Sequence, residues 1–183
     1  AIKQENANKD PIINSTMRDY LASEVSEDIC RRYIFPEEVI KAHDEGIIHI
    51  HDMGYVSGPI TNCELVNLED MLQNGTVITD TLIEKPHSFS TACNIATQII
   101  AQVASNTYGG QTISLAHLAP FVDVSRQRYR QEVRKELESI GQKPEDNEVN
   151  RIAEQRVLRE VNRGVQTIQY QVVTLMTTNG QAP

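Results

Sequence analysis

Residues 92–104 read ACNIATQIIAQVA, and their pattern decides the class of fold. Ala92, Ile95, Ala96, Ile99, Ile100, Val103 and Ala104 recur at helical intervals, forming one apolar stripe of an amphipathic helix. The small and β-branched members of that stripe let a neighbouring helix come close. Tyr108-Gly109-Gly110 stops the helix, because glycine accepts the backbone turn that follows a helix end. The two glycines can also bring backbone N–H groups near an anion, although the stretch matches neither a Walker loop nor a dinucleotide fingerprint.

On the C-terminal side, a charge-rich helix is expected from Pro120 to about Ser139, with Lys143-Pro144 as the break. A last helix begins near Glu145 and carries Val149, Ile152, Val157, Val161, Val165, Ile168, Val172 and Leu175. It is about 28 residues or roughly 42 Å long, a length that calls for packing against other helices. Asn179-Gly180 is a turn signal whose following strand is missing, so the chain is expected to be cut from a longer protein.

On the N-terminal side, residues 1–14 are polar and irregular. Thr16-Met17-Arg18-Asp19 then offers a capping box for a helix with Met17, Leu21, Val25, Ile29 and Tyr33 on one face and Cys30 at its end. Pro36 opens a short second helix with Glu37 and Glu38 in its first turn, and Gly46 closes it. Residues 47–51 (IIHIH) alternate with period two, which predicts a strand with His49 and His51 on one face. Residues 60–66 read as a second short strand with Cys63 near its middle, and 67–74 as a helical turn or two ended by Gly75.

The 183 residues suit one domain or a large piece of one, and no second complete domain is expected. With 23% charged and 39% apolar residues the chain is globular, and the scarcity of aromatics leaves a helix-rich core of Ile, Val, Leu and Ala. A net charge of −8 disfavours a nucleic-acid partner, whose phosphates demand a basic face. No stretch approaches the roughly 20 apolar residues of a membrane span, and no signal peptide is evident, so the chain reads as cytoplasmic. Cys30, Cys63 and Cys93 stand far apart without a CxxC pair, which signals neither a disulfide framework nor a zinc knuckle.

Several constellations can carry chemistry. His49 and His51 beside Asp52 can bind a metal, line a polar active site, or simply be satisfied surface histidines. Cys63 lies among glycine and proline breaks, where a thiol can face a cleft, whereas Cys30 and Cys93 read as packing residues. Arg126, Arg128, Arg130 and Arg134 share one helix and can meet phosphates or carboxylates, or form a solvated face.

Taken together, residues 46–56 (GIIHIHDMGYV), Thr61-Asn62-Cys63, residues 92–127 and residues 170–183 (YQVVTLMTTNGQAP) closely resemble the anaerobic ribonucleoside-triphosphate reductases, the class III glycyl-radical reductases. The resemblance covers most of residues 15–183, with separate motifs in the family's order. It implies an α/β, helix-rich fold forming the first part of a ten-stranded barrel of the glycyl-radical enzyme type. The ATP-cone, the glycyl-radical region and the parent's zinc site would lie outside this catalytic-barrel fragment, which alone is expected to be inactive. The implied activity is radical reduction of ribonucleoside triphosphates at the 2′ position, supplying deoxyribonucleotides for DNA replication.

The resemblance assigns Cys63 as the barrel-strand thiol opposite the thiyl radical, where a rigid strand suits hydrogen-atom donation. Asn62, His49 and His51 line the same site. It also implies a radical-SAM iron–sulfur activase as partner, and formate or a thiol system as reductant. Deoxynucleoside triphosphates or ATP would act as allosteric effectors at a helical homodimer interface, with Glu84, Lys85, Gln98 and Arg130 in the effector site. No metal site is expected within the chain. Two alternatives stand beside this reading: a metal-dependent hydrolase using His49 and His51, and a helical dimerisation module without a ligand.

Overall fold

The computed structural model describes residues 14–56, 58, 63–107, 110–177 and 180–181. They fall into two units: Ala1–Glu64 with Ala104–Gly110 and Met176–Pro183, and Leu65–Val103 with Gln111–Leu175.

In the first unit, α1 (Asn14–Ile29) runs into a π-helical turn, Cys30–Ile34, and α2 spans Glu37–Asp44. The expected apolar face of α1 points outward. Met17 and Ile29 are each 37% exposed, Leu21 56%, Val25 61% and Tyr33 77%, while Thr16, Ser26 and Cys30 are buried. The reason is the neighbour that arrives: a 3₁₀ turn at Met53–Tyr55 sits against α1. Ser26 Oγ and Cys30 Sγ donate to the Met53 carbonyl at 3.4 and 3.3 Å. A Cβ on Gly54 would meet Ser23 Oγ at 1.9 Å, so small side chains are what that approach requires.

Helix α2 ends as the sequence foresees, although Pro36 precedes its first residue rather than occupying it. Gly46 is left-handed at φ 73°. Its N–H donates to the His43 carbonyl, and the N–H of Ile47 reaches the Ala42 carbonyl, the pair of bonds that defines a Schellman stop. The Ile48 N–H also bonds to Ala42. This closure overturns the expected strand at 47–51, which is irregular backbone. Alternation alone does not make a strand when the amides are already bonded to the preceding helix.

Cys63 directly precedes β1, a two-residue strand at Glu64–Leu65. The longer strand expected over 60–66 is thus reduced to its C-terminal end, since 60–62 lie outside the described residues. In the second unit, α3 (Leu68–Asn74) is capped by Asn67, whose side chain accepts the Asp70 N–H at 3.4 Å, and is closed by Gly75 at φ 87°. An antiparallel hairpin follows, β2 (Thr76–Ile78) with β3 (Thr81–Ile83). Thr79 and Asp80 at its turn both have positive φ, 47° and 62°. That conformation suits Asn-Gly, and a β-branched residue adopts it under strain, so nothing in the sequence announced the hairpin.

Helix α4 (Phe89–Ala104) buries the predicted stripe: Ala92, Ala96, Ile99, Ile100 and Ala104 are at most 4% exposed. Ser88 caps it, accepting the Thr91 N–H at 3.1 Å. The expected stop at Tyr108-Gly109 lies outside the described residues. A short strand, β4 (Gln111–Thr112), and a 3₁₀ turn at Leu115–Leu118 lead into α5 (Ala119–Ser139), which ends in a second Schellman stop at Gly141. Helix α6 (Asp146–Thr174) follows the Pro144 break and packs along α5. The core joins Leu68 and Leu72 of α3, Phe89, Ala92, Cys93, Ala96 and Ile99 of α4, Phe121 of α5 and Ile168 of α6. Burying one such Leu or Phe side chain stabilises by about 1.5–3 kcal/mol.

Beyond α6, β5 (Met176–Thr177) pairs antiparallel with β6 (Gly180–Gln181). The strand judged missing after Asn179 is therefore present, built from two residues of which Gly180 itself is one.

Candidate functional site

Of the three thiols, only Cys63 is exposed. Its placement follows from the chain just after it, where the Glu64 N–H bonds to the Gly110 carbonyl at 3.2 Å and fixes the backbone. Cys30 and Cys93 are fully buried, as packing residues should be. Burial pushes both thiols up, Cys93 to about 11, with Glu27 adding to the effect at Cys30 and Glu160 at Cys93. Asn62 lies outside the described residues.

His49 and His51 do come together, despite the absent strand. Their ring centroids are 5.7 Å apart, and His43 of α2, which sequence reasoning passed over, extends the group at 5.4 Å from His49. His43 Nδ1 accepts the Ile50 N–H at 3.2 Å, which leaves its Nε2 as the free ring nitrogen. His51 Nε2 lies 3.3 Å from Asp52 Oδ2. The rings are tilted against one another, by 40° and 59°, and among the described residues no group of three or more His, Cys, Asp or Glu could hold a metal ion. The metal-dependent hydrolase therefore finds no metal centre among the described residues.

The β2–β3 hairpin and α4 enclose a cavity of about 350 Å³, with Ile78, Thr79 and Ile83 on one wall and Asn94, Ile95 and Gln98 on the other. Gln98 is exposed on the polar side of α4, as the periodicity requires. Glu84 and Lys85 are exposed and directly follow Ile83 in sequence, and of the four expected effector residues Gln98 lines this cavity. Arg130 does not line it.

The arginines of α5 divide sharply. Arg126 pairs with Asp123 and Glu154, Arg128 with Glu132 and Glu160 at 3.5 Å each, and Arg134 with Asp146 at 2.6 Å. Arg130 has no carboxylate partner among the described residues, and its Nε is buried without an acceptor. The Nε of Arg128 is likewise buried without a hydrogen-bond acceptor, so Arg130 differs from its neighbours in lacking an ion pair among the described residues.

The described residues thus make a helix-rich protein with a few short strands, an exposed thiol at Cys63 and a cavity between hairpin and helix. The family profile described as anaerobic ribonucleoside-triphosphate reductase matches residues 5–183, and the chain belongs to that family. The anaerobic ribonucleoside-triphosphate reductase of Escherichia coli K12 is 38% identical over 186 aligned residues, covering 100% of this chain and 25% of its own length. The Salmonella typhimurium LT2 reductase is 40% identical with the same coverage. That of Enterobacteria phage T4 is 38% identical over 182 residues, 98% of this chain and 29% of its own. The chain spans about a quarter of the length of these curated relatives. No helix among the described residues is long and apolar enough to cross a membrane.

Proposed function

We infer that the chain works within a longer anaerobic reductase that converts ribonucleoside triphosphates to deoxyribonucleoside triphosphates by radical chemistry. Its residues would build the first part of a ten-stranded α/β barrel. The observation that carries the reading is the exposed Cys63 thiol in a family member whose other two cysteines are sealed. A thiol gives up a hydrogen atom readily, and a backbone bonded at Glu64 holds the sulfur in place for a substrate sugar. Formate or a second thiol would then restore it. His49 and His51, in ring contact and exposed, would offer hydrogen bonds to substrate, and Asn62 would line the same site. The glycyl radical that starts the reaction, the radical-SAM activase that installs it and the family's zinc site would be supplied outside these residues.

Effector binding belongs to the same reading. The cavity between hairpin and α4 would take a deoxynucleoside triphosphate or ATP, with Gln98, Glu84 and Lys85 around it and Arg130 reaching a phosphate. A homodimer would complete the site from its helices.

Replacing Cys63 by serine in the complete reductase tests the central claim. Turnover should collapse while glycyl-radical formation, followed by electron paramagnetic resonance, persists; undiminished turnover would remove Cys63 from the chemistry. Calorimetric titration with each deoxynucleoside triphosphate tests the second claim, and heat of binding that is unchanged in Gln98→Ala would dismiss this cavity.

A further inference from the structure

Helix α6 presents Arg156, Arg159 and Arg163 on one face, spaced i, i+3 and i+7. With Ser90 of α4, Tyr129 of α5 and Glu160 they line a cavity of about 240 Å³. None of these residues belongs to the substrate or effector sets above. At about 30 Å³ per water, the space is ample for a phosphate group.

The charges around it are matched unevenly. Arg156 forms a fork with Glu136, Nη1 to Oε1 at 2.9 Å and Nη2 to Oε2 at 2.7 Å. Glu160, 5% exposed, accepts the Ser90 N–H at 2.9 Å and lies 3.5 Å from Arg128 Nη2. Both carboxylates are thereby engaged within the fold. Arg159 and Arg163 are exposed, have no carboxylate partner among the described residues, and sit one turn apart, where like charges repel. In a chain of net charge −8, two unmatched guanidinium groups beside one cavity are an electrostatic cost that an anion would relieve.

The donors also choose the anion. The guanidinium groups of Arg159 and Arg163 together offer more N–H groups than the two oxygens of one carboxylate can accept, whereas phosphate presents three or four oxygens; the Tyr129 hydroxyl is already bonded to Glu160. We propose that this cavity is a phosphate-binding site, engaged by Arg159 and Arg163, for a phosphate-bearing anion. A nucleotide's phosphate and phosphate free in solution share this chemistry.

The test is calorimetric titration of the 183-residue chain with tripolyphosphate, inorganic phosphate and a nucleoside triphosphate. Tripolyphosphate should bind, and Arg159→Gln/Arg163→Gln should weaken it about tenfold or more, equivalent to about 1.4 kcal/mol. Gln98→Ala should leave that affinity unchanged, which separates this site from the effector cavity. A nucleoside triphosphate binding more tightly than tripolyphosphate, with the same arginine dependence, assigns the phosphate to a nucleotide; equal binding assigns recognition to phosphate alone. Glutamine is a good helix former, so the double variant should keep its circular dichroism. If it unfolds, Arg163→Gln alone must still weaken binding. Tripolyphosphate that fails to bind at millimolar concentration, or binds the variants within about twofold of the parent, overturns the proposal.

Discussion

Replacing Gly164 with alanine measures how tightly α6 is seated on α4, and two effects oppose each other there. In a helix interior alanine is favoured over glycine by about 1 kcal/mol, because glycine loses more backbone freedom on folding. Against this, the new methyl carbon would stand 2.6 Å from Phe89 Cε1, 2.8 Å from Cys93 Sγ and 2.9 Å from Phe89 Cδ1. Comfortable carbon contacts lie at about 3.5–4.0 Å, so ring and thiol must retreat by close to an ångström. Neither has space to do so: Phe89 is 5% exposed and Cys93 0%. Overpacking of a filled core costs about 1–3 kcal/mol, and three simultaneous collisions place this site near the upper end. The net expectation is a loss of about 2 kcal/mol, or about 4–8 °C in Tm for a chain of this size. Urea denaturation followed by circular dichroism reads it as a lower midpoint at unchanged slope. Phe89→Leu in the alanine background should recover part of the loss, through a coupling of about 1 kcal/mol. An alanine variant as stable as the parent would refute the reasoning, since it would mean that the two helices separate freely and propensity alone decides.

Glu160 supplies a pH signature. Burial alone would raise its carboxyl, but the Ser90 N–H, the hydroxyls of Ser125 and Ser90, and Arg128 outweigh that and hold it below the ordinary range. Its contribution is therefore present above the unfolded carboxyl value of about 4.3 and is lost as pH falls through the lower folded value. The difference in urea midpoint between parent and Glu160→Gln should be open at neutral pH and close below about pH 4; a gap of constant size counts against the assignment. The cysteines make a kinetic prediction: a maleimide at neutral pH should label Cys63 in the folded chain and reach Cys30 and Cys93 only after denaturation. Equal labelling of all three would contradict the burial described above.

What the sequence revealed depended on whether the deciding partner was local. The stripe of α4, the Gly46 and Gly75 stops and the Pro144 break all rest on contacts within a few residues, and each was legible. The alternation of residues 47–51 misled because periodicity describes how side chains would fall if a strand formed, and says nothing of where the amides bond; here Ala42 takes two of them. The outward apolar face of α1 has the same origin, for a hydrophobic pattern states what a helix can cover and leaves open which neighbour approaches. The β2–β3 hairpin escaped notice because Thr79 and Asp80 take on a left-handed turn without the residues that usually signal it.

The charged residues carry this argument furthest. Arg126, Arg128, Arg130 and Arg134 look alike along α5, yet three are neutralised by carboxylates, most of which arrive from α6, more than ten residues away in the chain. Arg130 is distinguished by the helix packing that brings it no carboxylate among the described residues. Arg159 and Arg163 were invisible for the converse reason, since an acid, Glu160, stands between them in sequence but turns inward to Ser90 and Arg128. Which cations remain available to a ligand is thus a property of the assembled helices, and a composition of net charge −8 conceals them.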